Sequence, residues 1–83
     1  MITPSQCRAA RGLLDWTQQE LADAAHIGVA TIRLFEGEGA EPRHATLAVL
    51  RRALELAGIE FIEENGGGPG LRLRKPQRTK PAK

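Results

Sequence analysis

The chain reads as a mainly α protein, four helices followed by a C-terminal β-hairpin, and three features of the sequence lead there. Two capping boxes, Thr3-Pro4-Ser5-Gln6 and Thr17-Gln18-Gln19-Glu20, each put a Thr hydroxyl three residues before a Gln or Glu that can return a bond to the Thr amide, which marks two helix starts. Apolar residues then recur at helical spacing as far as Ala57 and alternate with period two from Ile59 onward. Between two alternating runs lies Asn65-Gly66-Gly67-Gly68-Pro69-Gly70, whose composition is that of a hairpin loop.

Taken in order, the first helix is predicted from Pro4 to about Leu14, with Pro at the first helical position where its missing amide costs nothing. Cys7, Ala10 and Leu13 or Leu14 face the core, while Arg8 and Arg11 lie on a solvated outer face. Asp15 takes the turn. The second helix starts at Gln18, with Trp16 and Leu21 flanking its cap as a hydrophobic staple. Leu21, Ala22 and Ala25 share one face, Ile27 falls in a turn, and Ile32 and Phe35 carry the face onto a third helix. Ala22 and Ala25 are small where two helices must approach at a wide angle. Gly37 to Pro42 form a loop, and a fourth helix follows with an apolar stripe at Leu47, Leu50, Leu54 and Ala57. Arg51 and Arg52 are expected on its solvated side. Gly58 ends it, and the strands Ile59–Glu63 and Leu71–Arg74 set Glu60 and Glu63 against Arg72 and Arg74.

From Ser5 to Ala57 these residues resemble the helix-turn-helix domain of the Cro and lambda-repressor type, the xenobiotic-response-element family. The most specific part is Gln18-x-x-Leu21-Ala22, then Ile27, Thr31-Ile32 and Phe35-Glu36. The resemblance implies a lambda-repressor-like DNA-binding domain in which the second helix of the pair lies in the major groove. It implies DNA contacts at Gln18 and Gln19 on the first of the pair and at Gly28, Val29, Ala30, Thr31, Arg33 and Leu34 on the second. Arg43 and His44 would meet phosphate beside them. Arg33, the only long cation on the reading helix, is the first candidate for a guanine or phosphate contact. His26 stands where the family has glycine, which predicts a left-handed residue there, and Gly28 replaces the family's Ser or Thr cap.

Composition bounds the rest. Eighty-three residues make one small domain, divided as a helix-turn-helix domain over 1–58, a hairpin over 59–75 and a disordered basic tail over 76–83. The net charge of +2 hides a split: residues 1–70 carry six cations and ten anions, and residues 71–83 carry six cations and no anion. The helical body is therefore acidic and the tail phosphate-seeking. No apolar run approaches the roughly 20 residues of a membrane span, and the N-terminus lacks a signal-peptide pattern, so a cytoplasmic location is expected. A single cysteine, Cys7, leaves no disulfide or thiolate metal cluster and reads as a small core residue. No nucleophile with a base, carboxylate pair or metal spacing is present, so neither catalysis nor a cofactor is expected.

A lone hairpin is marginal in water. Its apolar residues Ile59, Phe61, Leu71 and Leu73 are therefore expected to pair two copies of the chain into a two-fold dimer. These readings converge on a sequence-specific, dimeric transcriptional regulator, acting as a repressor on double-stranded DNA. The alternative is an antitoxin-like or other interaction module whose hairpin or tail binds a partner protein.

Overall fold

Helices α1 (Pro4–Leu14), α2 (Gln18–Ala25), α3 (Val29–Glu38) and α4 (His44–Leu56) are followed by strands β1 (Ile59–Ile62) and β2 (Gly70–Leu73) in a computed structural model that describes residues 2–38, 41–63 and 66–74. The expected mainly helical fold with a C-terminal hairpin is what forms. The tail expected over 76–83, together with Lys75, Glu64 and Asn65, lies outside the described residues.

Both capping boxes close. Thr3 Oγ1 accepts from the Gln6 amide at 3.1 Å while Gln6 Oε1 accepts from the Thr3 amide at 3.0 Å. Thr17 Oγ1 accepts from the Glu20 amide at 3.0 Å and Glu20 Oε1 from the Thr17 amide at 2.8 Å. Each box satisfies two amides that a helix start leaves without partners. Thr17→Ala is accordingly expected to cost about 1 kcal/mol in a denaturant titration, with Thr17→Ser close to the parent; equal stability of all three would remove the cap from the account.

Helices α1 and α2 end alike, on the left-handed residues Asp15 (φ 59°) and His26 (φ 59°). The Trp16 amide reaches back to the Arg11 carbonyl at 2.9 Å and the Ile27 amide to the Ala22 carbonyl at 3.1 Å, the six-to-one bond of a Schellman ending. His26 thus adopts the conformation its place in the turn predicts. Gly58 does the same after α4, at φ 117°.

The core draws on the four helices and β1: Cys7 and Ala10 of α1, Leu21, Ala22 and Ala25 of α2, Ile32 and Phe35 of α3, Leu47, Leu50, Ala53 and Leu54 of α4, and Ile59 of β1, with Ile2 ahead of α1 and Leu71 of β2 partly buried against it. Trp16 and Leu14 pack around this centre, whereas Leu13 is exposed. The two strands run antiparallel with Ile59 opposite Leu73, Glu60 opposite Arg72 and Phe61 opposite Leu71. Ile59, Phe61, Leu71 and Leu73 therefore share one face and Glu60 and Arg72 the other.

That apolar face also packs within its own chain. It lies on the chain's own helices, β2 against α1 and β1 against α4, with Gln6 Nε2 donating to the Gly70 carbonyl at 3.0 Å. Ile59 has no exposed surface, Phe61 and Leu71 pack partly against the core, and of the four residues only Leu73 is exposed. Because α1 and α4 offer an apolar surface of their own, Ile59, Phe61 and Leu71 are covered within one chain, while Leu73 remains open to solvent. On the outer face Arg72 bonds both Glu60 oxygens at 3.2 Å, the expected charge pair; Arg74 turns instead to the Glu55 carbonyl. Among the described residues no helix is long and apolar enough to cross a membrane.

Candidate nucleic-acid interface

Helices α2 and α3 are joined by three residues, His26, Ile27 and Gly28. Ile27 packs against the core, and the exposed Gly28 opens α3, its carbonyl accepting from the Thr31 amide at 3.1 Å. The inner side of α3 is Ile32, Phe35 and Glu36, all buried. The outer side is Ala30, Arg33, Leu34 and Gly37, all exposed, with Val29 and Thr31 half-buried between the two. Ala30, Arg33, Leu34 and Gly37 line an open groove of about 460 Å³. Thr31 and Leu34 also border a smaller depression with Glu41 and Pro42, which brings the approach to α4 alongside α3.

Glu36 holds α3 in place. Its carboxylate, 2% exposed, accepts from Arg11 Nε at 2.8 Å and Nη2 at 2.6 Å, from Gln18 Nε2 at 3.1 Å and from Cys7 Sγ at 3.0 Å. Arg8 donates to the Glu36 carbonyl, and Arg11 Nη1 to the Trp16 carbonyl at 3.0 Å. The expectation that Arg8 and Arg11 form a solvated face is therefore corrected for Arg11, which is turned onto α3; Arg8 stays exposed while reaching the Glu36 carbonyl. The signal was in the spacing. Glu36 follows Ile32 by four and Phe35 by one, on the buried stripe of α3, and Arg11 follows Cys7 by four on the buried stripe of α1. Two opposite charges on facing apolar stripes call for each other.

Burial alone would push the Glu36 carboxyl up. The hydrogen bonds from Arg11, Cys7 and Gln18, with the Arg11 charge, outweigh it and hold the group below the ordinary carboxylate range. Burial, reinforced by the hydrogen bond and charge of Glu36, pushes the Cys7 thiol up, so it remains a protonated donor rather than a nucleophile.

The other predicted contact residues fall as follows. Gln18 is half-buried and committed to Glu36, while the exposed Gln19 donates to Asp23 at 3.0 Å. Arg43 and His44 are exposed at the start of α4, which has no side-chain cap. Among the described residues Arg8, Arg11, Arg51, Arg72 and Arg74 all donate within the chain, whereas Arg33, Arg43 and Arg52 make no side-chain hydrogen bond or ion pair. Arg51, expected to be solvated, instead pairs with Glu55 at 2.9 Å and lies 5.1 Å from the centre of the Phe61 ring. A separate open groove of about 280 Å³ lies between α2 and α4, walled by alanines, Val49 and Leu56, and includes none of the predicted contact residues. Among the described residues no group of three or more His, Cys, Asp or Glu is placed to hold a metal.

Neither the models of known protein families nor the sequences of curated proteins give a match to this chain.

Proposed function

We propose that the protein binds duplex DNA with α3 in the major groove and acts as a sequence-specific transcriptional regulator. The observation that carries this reading is the division of α3. One side is fixed by the core and by the Glu36 cluster, and the other presents Arg33, which among the described residues has no side-chain partner, beside an open groove. A helix held this firmly by a three-residue turn, with an exposed guanidinium on its outer face, fits the geometry by which helix pairs of this kind enter DNA. Arg33 supplies the fork of donors that guanine accepts. Arg43, unpaired among the described residues, the neighbouring His44 and the start of α4, which has no side-chain cap, support a phosphate contact next to it. The acidic balance of residues 1–70 means that attraction to DNA is local to these groups rather than spread over the body.

The test is repeated selection from random duplex DNA at two salt concentrations, followed by Arg33→Ala on the recovered sequence. The expected result is a defined motif, bound about 5- to 150-fold more weakly by the variant, the equivalent of about 1–3 kcal/mol for one specific base contact. A near-palindrome with half-sites about ten base pairs apart would report two copies on adjoining turns, as a dimeric repressor requires, and a single half-site one copy. Weak binding without sequence preference that vanishes at the higher salt would reject the reading.

A further inference from the structure

The chemistry of the α3 outer face says what kind of sequence it can read, an inference that rests on the DNA-binding reading above. From Gly28 to Gly37 the exposed side chains are Ala30, Arg33 and Leu34, with Val29 and Thr31 half-buried; Glu36 in this stretch is buried and already bonded. Adenine, which shows an acceptor and a donor in the major groove, is read by the paired donor and acceptor of an Asn or Gln amide, and cytosine by a carboxylate. This face exposes neither group. What it holds is one guanidinium, five donors and no acceptor, which suits the two acceptors of guanine. Apart from the hydroxyl of the half-buried Thr31 and the Glu41 carboxylate that borders Leu34 from outside the helix, the remaining surface is hydrocarbon, and the one hydrocarbon group in the major groove is the thymine methyl.

The geometry provides a place for it. Ala30 and Leu34 are one turn apart on the same side of the helix, and Leu34 is 49% exposed. With Arg33 and Gly37 they line the same open groove. A Cβ at Gly37 would meet no atom of another element within 4 Å among the described residues, so this part of the groove is left clear for an approaching group. An apolar side chain left in water on a helix otherwise well packed gains from covering a methyl group, whereas a base edge without one would strip water from its acceptors and return nothing.

We infer that α3 reads thymine methyl groups with Ala30 and Leu34 on either side of a single guanine bound by Arg33, so that the DNA recognised is a guanine flanked by thymines. Specificity on this face is then mostly apolar, with one charged contact setting the register.

The experiment uses the full chain and the motif selected from random duplexes. Each thymine of the motif is replaced singly by uracil, which keeps the base pair and removes only the methyl, and each guanine by 7-deazaguanine, which removes the N7 acceptor. At the methyl-contacting positions uracil is expected to weaken binding about fourfold, the value of one buried hydrocarbon group of about 0.8 kcal/mol at about 1.4 kcal/mol per tenfold. Leu34→Ala should bind thymine and uracil duplexes alike at one of those positions, and Arg33→Ala should lose its sensitivity to 7-deazaguanine. Leu34 is outside the core, and helix content measured by circular dichroism checks that the variant is folded. A motif bound equally with uracil at every position overturns the methyl reading and leaves the proposed function standing. Failure to recover any motif overturns both.

Discussion

Replacing Glu36 by alanine is expected to destabilise the fold by about 3–5 kcal/mol, because it leaves the guanidinium of Arg11 half-buried without its carboxylate. In a domain of this size, with stability in the range of about 5–15 kcal/mol, that is a large share of the total. Thermal unfolding should fall by roughly 4–8 °C for each kcal/mol lost. Arg11→Met is expected to be similarly costly, since Glu36 then stays buried with only Gln18 and Cys7 donating. The double variant should be far less costly than the sum, and that non-additivity measures the pair. A Glu36→Ala variant within about 1 kcal/mol of the parent would place the pair among surface salt bridges of little consequence.

The same group fixes a pH dependence. Its carboxyl is held below the ordinary range in the folded chain, so the folded state binds its proton less readily than the unfolded state. The stabilisation is then complete above the unfolded value of about 4.3 and is lost as pH falls through the lower folded value. Unfolding temperature should drop on acidification below about pH 4 in the parent, and the drop should be smaller in Glu36→Gln. Identical acid profiles for the two would show that other carboxylates govern the transition.

Ile59→Ala is the second large effect, a loss of about 2–5 kcal/mol as expected for a buried branched side chain. The site separates two architectures. If the hairpin completes the core of its own chain, the loss is the same across a wide range of protein concentration. If instead the hairpin were stabilised by a second copy, the unfolding temperature of the parent would rise with concentration and that of the variant would not. The packing of β1 on α4 and β2 on α1 favours the first outcome.

The sequence displayed most of this fold because its punctuation is local. The two capping boxes, Pro4, the left-handed His26 and Gly58 each act within a few residues, and the element ends fall where they stand. What the pattern could not display is the surface that covers an apolar face. Alternation at Ile59, Phe61, Leu71 and Leu73 says that a face exists, but whether a helix of the same chain or another copy lies on it depends on where α1 and α4 arrive in space. Arg11 and Glu36 were hidden for a different reason: Arg11 was read as solvated for its charge and Glu36 only as part of a motif, when their spacing from Cys7 and Ile32 had already put them inside. The outer face of α3 was legible residue by residue in Ala30, Arg33 and Leu34. The commitment of Gln18 to Glu36 was not, since it depends on the meeting of three helices.

The bond from Gln6 to Gly70 spans 64 positions of the sequence and joins the first helix to the last strand. Neighbours at opposite ends of a chain make connectivity and packing separable. A circular permutant, with a short linker joining the end of β2 to the residue before α1 and new ends opened between α3 and α4, would keep every packed face described above. Such a permutant is expected to keep the helix content and the cooperative unfolding of the parent, measured by circular dichroism.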